Sequence, residues 1–379
     1  MATDSVCCSA VHNLYRNHLG GCQNIPDRHS YVWEETYLER DVEMDKIQKL
    51  LIKTNENNHS ENPNNMTSAP IAVIDMGTNT FNLLIAGVNG QKMTEIYFEK
   101  IPVKLGKGGM QQKIITPEAK LRAVEAMIRY KEIADRYHVQ EILASGTSAL
   151  RSATNSKELL DRIKEITGID VRIISGDEEA LLIYTGVTHS IHPEGTFLIM
   201  DVGGGSVEFI LASQPEGIIW KKSFPLGVTR LLELFDLSDP VTEDNIQTLE
   251  DYLDQNLPEL WEVVSRHHPG MLIGAAGTFD TLRSLAAGKG WIPKSNKSWQ
   301  EIPPDIYRKI HQILLRSDAV LRKRMKGMEP FRVKMIVPAS IFVNFVLRKT
   351  EIPSLVQSYY SLKEGIIFRL IETRNEHKK

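Results

Sequence analysis

From Pro70 onward, short apolar runs bounded by turn residues alternate with longer amphipathic segments, a pattern that predicts a mixed α/β chain. The runs at 71–75 (IAVID) and 81–88 (FNLLIAGV) read as two buried strands joined by a tight turn. Further strands are expected at 141–145, 171–175, 196–201, 207–213 and 271–275, with a short one near 355–357. Thr116-Pro117-Glu118 opens a helix, with Thr as cap, Pro at the first helical position and an acid in the first turn. A second helix, 155–166, stops at Gly168, and a third runs from Gly176 to about Ser190. After Leu226 helices dominate, at 226–235, 242–265, 303–315 and 332–348. The longest apolar stretch, Met335 to Leu347, is too short to span a bilayer and reads as a buried helix.

The first part of the chain differs. Residues 54–69 are rich in Asn, Ser and Glu without apolar periodicity and read as a linker. An amphipathic helix is expected at 31–53, and residues 1–69 as a whole read as a poorly ordered extension. Met66 stands just before the first strand as an alternative start. The three cysteines, Cys7, Cys8 and Cys22, all fall in this extension and form no disulfide framework, which fits a reducing, cytoplasmic compartment. With His12 and His18 they match no zinc spacing. No basic-then-apolar leader is present. Of 379 residues, 25% are charged and the net charge is −3, so bulk charge does not call for DNA or a membrane. An anionic ligand must be held by local features.

Two such features stand out. Asp75-Met76-Gly77-Thr78-Asn79-Thr80 and Asp201-Val202-Gly203-Gly204-Gly205-Ser206 each follow an apolar strand and precede another. One Asp-x-Gly is ordinary turn chemistry. Two in matching strand contexts point to a pair of hairpins whose tips bring backbone N–H groups to phosphate. The hydroxyls of Thr78, Thr80 and Ser206 add donors, and the carboxylates can hold Mg²⁺. Neither loop carries the Gly-Lys-Ser/Thr of a Walker sequence, and neither has the glycine spacing of a dinucleotide fold. The stretch 273–279 repeats the strand-to-small-residue theme as a third wall, or packs a helix closely on a strand.

Ser175-Gly176-Asp177-Glu178-Glu179 starts a helix with three acids. Ser175 and Glu178 make a capping box, and Glu179, about 100° further round, is free to face a cleft and polarise water. Glu208 sits on a strand just after the second loop. Arg151, after Ser148, is either a phosphate clamp or a surface arginine. The basic cluster of Arg322, Lys323, Arg324 and Lys326, with Arg332 and Lys334, suits a polyanion but reads first as a solvated face.

Taken in order, AVIDMGTNTFNLLI, ASGTSALRSATN, RIISGDEEALLIYTGV, MDVGGGSVEFIL, SFPLGVTRL and SLKEGI resemble the exopolyphosphatase/guanosine pentaphosphate phosphohydrolase (Ppx/GppA) family, over about 71–370. The resemblance implies two actin-like (ribonuclease H-like) α/β domains, each a mixed sheet with flanking helices, at 70–192 and 193–379, with the site in the cleft between them. It places Asp75, Asp201 and Glu208 at a Mg²⁺ ion, and Glu179 as the base that activates water, with Asp201 and Glu208 beside it. Thr78, Asn79, Thr80, Ser148, Arg151, Gly203, Gly204, Gly205 and Ser206 would line the phosphate track. In-line attack of water on a terminal phosphorus without a covalent intermediate, and a homodimer, are implied as well. The chain departs from the family at Lys334, where an acid is common, at Pro338-Ala339, where Gly is, and at Ser358-Tyr359-Tyr360-Ser361, a Gly-rich stretch in relatives. These changes bear on substrate choice more than on chemistry. The added C-terminal helical domains of longer members are absent from the 379 residues, so a long polyphosphate channel is expected to be incomplete.

Four readings follow. The first is removal of the terminal phosphate of polyphosphate, and the second the same chemistry on guanosine pentaphosphate (pppGpp). The third is a sugar-kinase-like transferase, which Glu179 disfavours. The fourth is a non-catalytic alarmone or polyphosphate sensor, which the intact acid set disfavours.

Overall fold

A computed structural model describes residues 69–376 apart from Asn296. The expectations for the helix at 31–53, Met66, the three cysteines and nearly all of the linker lie outside the described residues. Within them the chain forms two sheets of the same design. The first has strand order β3-β2-β1-β4-β5, from β1 (Ile71–Met76), β2 (Phe81–Asn89), β3 (Lys92–Ile101), β4 (Glu141–Gly146) and β5 (Val171–Ile173). The second runs β10-β11-β9-β6-β7-β8. Its strands are β6 (Thr196–Val202), β7 (Val207–Ser213), β8 (Gly217–Phe224), β9 (Met271–Ala275), β10 (Trp299–Glu301) and β11 (Ser354–Ser358). In each, three antiparallel strands are followed by two parallel ones, to which the second sheet adds the antiparallel edge strand β10: β1 pairs antiparallel with β2 and parallel with β4, as β6 does with β7 and β9.

The central strands are continuous apolar runs because both faces of each sheet are covered. Helices α1 (Pro117–Arg136), α2 (Ser148–Ser152) and α3 (Ser156–Thr167) follow the strands of the first sheet. Buried residues of α1 and α3 close its outer face. The helices α5 (Val228–Leu234), α6 (Glu243–Asn256), α7 (Pro258–His267), α8 (Ala276–Gly288), α9 (Pro304–Arg316), α10 (Ala319–Lys323) and α11 (Ile336–Thr350) belong to the second half. Most of them bury side chains against the outer face of the second sheet. Between the sheets lie α4 (Gly176–Ser190) and α12 (Leu362–Glu376), packed with Val73 and Leu84 of one sheet and Ile199, Ile210 and Ile273 of the other.

The expected elements are present; the short β10, α2 and α10 are additions, and four further differences have a physical reason. The edge strands β3 and β8 follow the turns at Gly90 and Gly217, both at positive φ, and their mixed polar sequences hide them from a search for apolar runs. The helix expected at 242–265 is two helices, because Pro258 cannot continue a helix and instead starts the next one. The helix expected from 332 begins at Ile336, after a 3₁₀ turn over Pro330–Arg332. The last helix, α12, has almost no amphipathic periodicity, because it is wrapped by α4 and the sheets.

Helices α4 and α12 cross backbone to backbone. A Cβ on Gly365 would lie 1.8 Å from the Leu182 carbonyl oxygen, and one on Gly186 would lie 2.1 Å from that of Ser361. The contact fixes the start of α12 against both sheets. Gly365→Ala is therefore expected to cost about 3 kcal/mol, at the upper end of overpacking penalties because only backbone could move. Urea unfolding of the two proteins measures this; a loss below about 0.5 kcal/mol, within the range of neutral surface changes, would show that the helices separate freely.

Candidate active site

The two Asp-x-Gly loops are the tips of the β1–β2 and β6–β7 hairpins, and they are built alike. Gly77 N–H donates to the Thr80 carbonyl at 3.1 Å, and Gly203 N–H to that of Ser206 at 3.1 Å. The tips touch: a Cβ on Gly204 would lie 2.5 Å from Asn79 Nδ2, and one on Gly205 would lie 2.7 Å from Thr78 Oγ1 and 2.6 Å from Ser148 Oγ. Thr229 Oγ1 donates to Asn79 Oδ1 at 2.8 Å and ties the loops together. A single cleft is lined by Thr78, Asn79, Thr80, Ser148, Gly203, Gly204, Gly205 and Ser206, so all of these expected phosphate-track residues converge.

The cleft floor carries the carboxylates. Asp201 and Glu208 are directly opposite across the β6–β7 ladder, which puts both side chains on one face. Asp75 occupies the corresponding place in the other hairpin, opposite Asn82, whose Nδ2 donates to it at 2.9 Å. Glu208 accepts from Ser223 Oγ at 2.7 Å and Asp201 from Ser361 Oγ at 3.0 Å. Burial, opposed by the Asn82 bond, holds the Asp75 carboxyl up at about 6. Burial, then the charge of Glu208, holds Asp201 up at about 8. Burial also raises Glu208.

Glu179 lies in the first turn of α4. Ser175 caps that turn by accepting from the Glu178 N–H at 3.1 Å. Glu178 turns outward to Arg172, whereas Glu179 turns inward to the cleft with only 9% of its side chain exposed. Burial, then Glu208, raises its pKa well above the ordinary range, which strengthens it as a proton acceptor.

Arg151 lies behind Glu179. Its Nη1 donates to Glu179 Oε2 and to the Ile174 carbonyl, both at 2.9 Å, and it is not among the residues lining the cleft. The short helix α2 ends with this side chain aimed back at α4, where it holds Glu179. The basic cluster also divides. Arg322 is buried on Asp239 at 2.8 Å, Arg332 reaches the cleft wall, and Lys323, Arg324, Lys326 and Lys334 stay exposed. Of the stretch 273–279, Ala276 and Gly277 line the cleft, and Arg332 lies directly over Gly277.

Sequence reasoning assigned no role to Ser361, Lys363, Asp280 and Lys100, which also line the cleft. A signal existed for the first two. Ser361-x-x-Glu364 is a capping box, in which Glu364 Oε2 accepts from the Ser361 N–H at 2.9 Å. That turn sends the Ser361 hydroxyl to Asp201 and sets Lys363 on the cleft, 2.8 Å from Glu364. Asp280 accepts from Gln357 at 2.8 Å, a pairing made by α8 and β11 that no local pattern announces.

The model of the Ppx/GppA phosphatase family matches residues 84–374. The chain belongs to this family. A solved exopolyphosphatase from Cytophaga hutchinsonii is 36% identical with a TM-score of 0.78, covering 80% of this chain and 98% of that one. A bifunctional 3-dehydroquinate synthase/phosphatase of Fusobacterium nucleatum is 32% identical over 293 residues, 73% of this chain but 43% of that protein. The chain thus spans less than half of that relative. Exopolyphosphatase 1 of Mycobacterium tuberculosis is 27% identical over 308 residues, 80% of this chain and 88% of that protein. The two similar sheets around a central helix pair are the actin-like fold of the family.

Among the described residues no three His, Cys, Asp or Glu side chains gather into a ready metal cage, so the donors present would suit only a cation that keeps much of its shell as water and phosphate. Asp75, Asp201 and Glu208 offer hard oxygens on the cleft floor, and Mg²⁺ binds through one or two carboxylates, completing its shell with water and phosphate. The pKa of Asp201, about 8 against an ordinary 3.8, has a consequence for the metal-free protein. Its folded state holds a proton that the unfolded chain releases, so stability falls as pH rises between those two values. Asp201→Asn should flatten this decline. Melting temperatures across that pH window test it, and a variant profile parallel to the parent's would contradict it.

Proposed function

We propose that this phosphatase is a Mg²⁺-dependent exopolyphosphatase. The observation that carries the reading is the placement of Glu179: a buried acid, held by Arg151, facing a cleft walled by two N–H-bearing hairpin tips. The terminal phosphoryl group would lie between the tips, its oxygens meeting loop N–H groups and the hydroxyls of Thr78, Thr80 and Ser206. Glu179 takes a proton from water as the water oxygen bonds to the terminal phosphorus. The bridging P–O bond breaks in line, its electron pair leaves with the shortened chain, and orthophosphate is released. Bound Mg²⁺ would neutralise charge on the phosphoryl oxygens. Lys100, Arg332 and Lys363 on the cleft wall supply the cationic surface that the net charge of the chain does not.

Hydrolysis of guanosine pentaphosphate is the second reading. Tyr359 lines the cleft, and the Arg283 guanidinium stands 4.8 Å from its ring centre, which offers a flat surface to a base. A homodimer in the cytoplasm belongs to the proposal through the family resemblance; among the described residues, no helix is long and apolar enough to cross a membrane.

Phosphate release with Mg²⁺ from polyphosphates of several lengths, against guanosine pentaphosphate, tests the reading. Polyphosphate is expected to be preferred, and Glu179→Gln to lower kcat at least about a hundredfold while substrate still binds. Preference for the nucleotide would move the protein to the second reading. Normal turnover in Glu179→Gln would refute the assigned base, and binding without release would make the protein a sensor.

A further inference from the structure

The segment SFPLGVTRL has no role in the mechanism above, yet it touches the second phosphate loop at every step. Val228 N–H donates to the Gly203 carbonyl at 3.0 Å, and Thr229 N–H to that of Gly204 at 2.8 Å. Arg230 Nε donates to the Gly205 carbonyl at 2.8 Å. Three consecutive loop carbonyls are thus turned toward three consecutive residues of α5. In a trans peptide the C=O and the following N–H point in opposite directions. The N–H groups of Gly204, Gly205 and Ser206 therefore face away from α5, and none of them makes a hydrogen bond among the described residues. Gly227 permits the contact, since a Cβ there would lie 2.4 Å from the Gly204 carbonyl group.

The first hairpin repeats the device. Its Thr78 and Asn79 carbonyls accept from Gly106 N–H at 3.0 Å and Lys104 N–H at 2.8 Å. Both templates follow the third strand of their sheet after the same tight turn, with Val103 N–H on the Ile101 carbonyl and Leu226 N–H on that of Phe224. The halves differ in the order of these bonds, which run with the chain in the second tip and against it in the first, and in what holds the carbonyls. The first is oriented by backbone alone, whereas the last carbonyl of the second is held by a side chain. That guanidinium also reaches Ser152 Oγ at 3.3 Å and the Met110 carbonyl at 3.4 Å.

We propose that Arg230 is a positioning residue that aims the Ser206 N–H at the substrate phosphate by holding the Gly205 carbonyl away from it. The inference deepens the phosphohydrolase reading and rests on it for the identity of the anion. Arg230 touches no substrate; it acts through the peptide it holds.

The test is titration calorimetry with Mg²⁺-tripolyphosphate in the Glu179→Gln background, so that affinity is read without turnover. Adding Arg230→Met, which keeps the apolar stem and removes the donors, should weaken binding about tenfold. Arg230→Lys keeps one donor for Gly205 and should retain the parental affinity. Glu233→Ala is the structural control: Glu233 clasps Gly108 N–H at 2.9 Å and Gln111 N–H at 3.2 Å but does not touch the loop, so its loss should leave affinity unchanged. Parental affinity in Arg230→Met would overturn the proposal. So would an equal loss in Arg230→Lys, or in Glu233→Ala, since either would assign the effect to general loosening. If the wild-type protein binds tripolyphosphate but releases no phosphate from it, the exopolyphosphatase reading fails and the positioning role stands. Absence of tripolyphosphate binding by the parent would overturn both.

Discussion

The close approach of the second hairpin tip to the side chains of the first is the constraint on which the rest of the structure depends. Where Gly204 and Gly205 meet the side chains of Thr78, Asn79 and Ser148, and where Gly227 meets the Gly204 backbone, there is no room for a side chain. Peptide groups there are close enough to serve as anion donors, and they must be oriented by something other than a regular ladder. The connections after β3 and β8 do this, which explains why both sheets carry an edge strand that contributes little apolar surface. Those strands deliver the template to the tip. The Gly186–Gly365 crossing plays the corresponding part on the far side, bringing the first turn of α12, with Ser361 and Lys363, to the same cleft.

A site for a polyanion that is floored with carboxylates needs its charges distributed with care. Burial raises the pKa of Asp75, Asp201, Glu179 and Glu208, and the charge of Glu208 adds to this for Asp201 and Glu179. Polar partners fix their directions: Asn82 for Asp75, Ser361 for Asp201, Arg151 for Glu179, and Ser223 with Ser206 for Glu208. Arg151 is the one charged side chain among these partners. The positive side chains Lys100, Arg332 and Lys363 stand on the wall instead. Carboxylates thus gather on the floor and cations on the wall.

The departures from the family pattern fall where they can alter selectivity without altering this division. Ser358-Tyr359-Tyr360-Ser361, which replaces a glycine-rich stretch, supplies both the Tyr359 ring on the cleft wall and the hydroxyl bound to Asp201. Pro338 lies in the first turn of α11, where no backbone donor is needed, and Lys334 is exposed.

The amino-acid sequence by itself determined the features that act over a few residues. Apolar runs specified the buried strands, Asp-x-Gly turns specified the hairpin tips, and the Ser175 cap sent Glu178 and Glu179 to different sides of one helix turn. Period and turn chemistry are local, so they can be read without the fold. Tertiary structure decided what depends on juxtaposition. It set Arg151 on Glu179 instead of on the cleft wall, buried Arg322 while leaving its neighbours in solvent, and drew Ser361 and Lys363 from the last helix into the site. Arg230 is the clearest case. Its position in the sequence says only that it follows a turn, and its meeting with the Gly205 carbonyl exists only because α5 packs across the tip of a hairpin formed earlier in the chain.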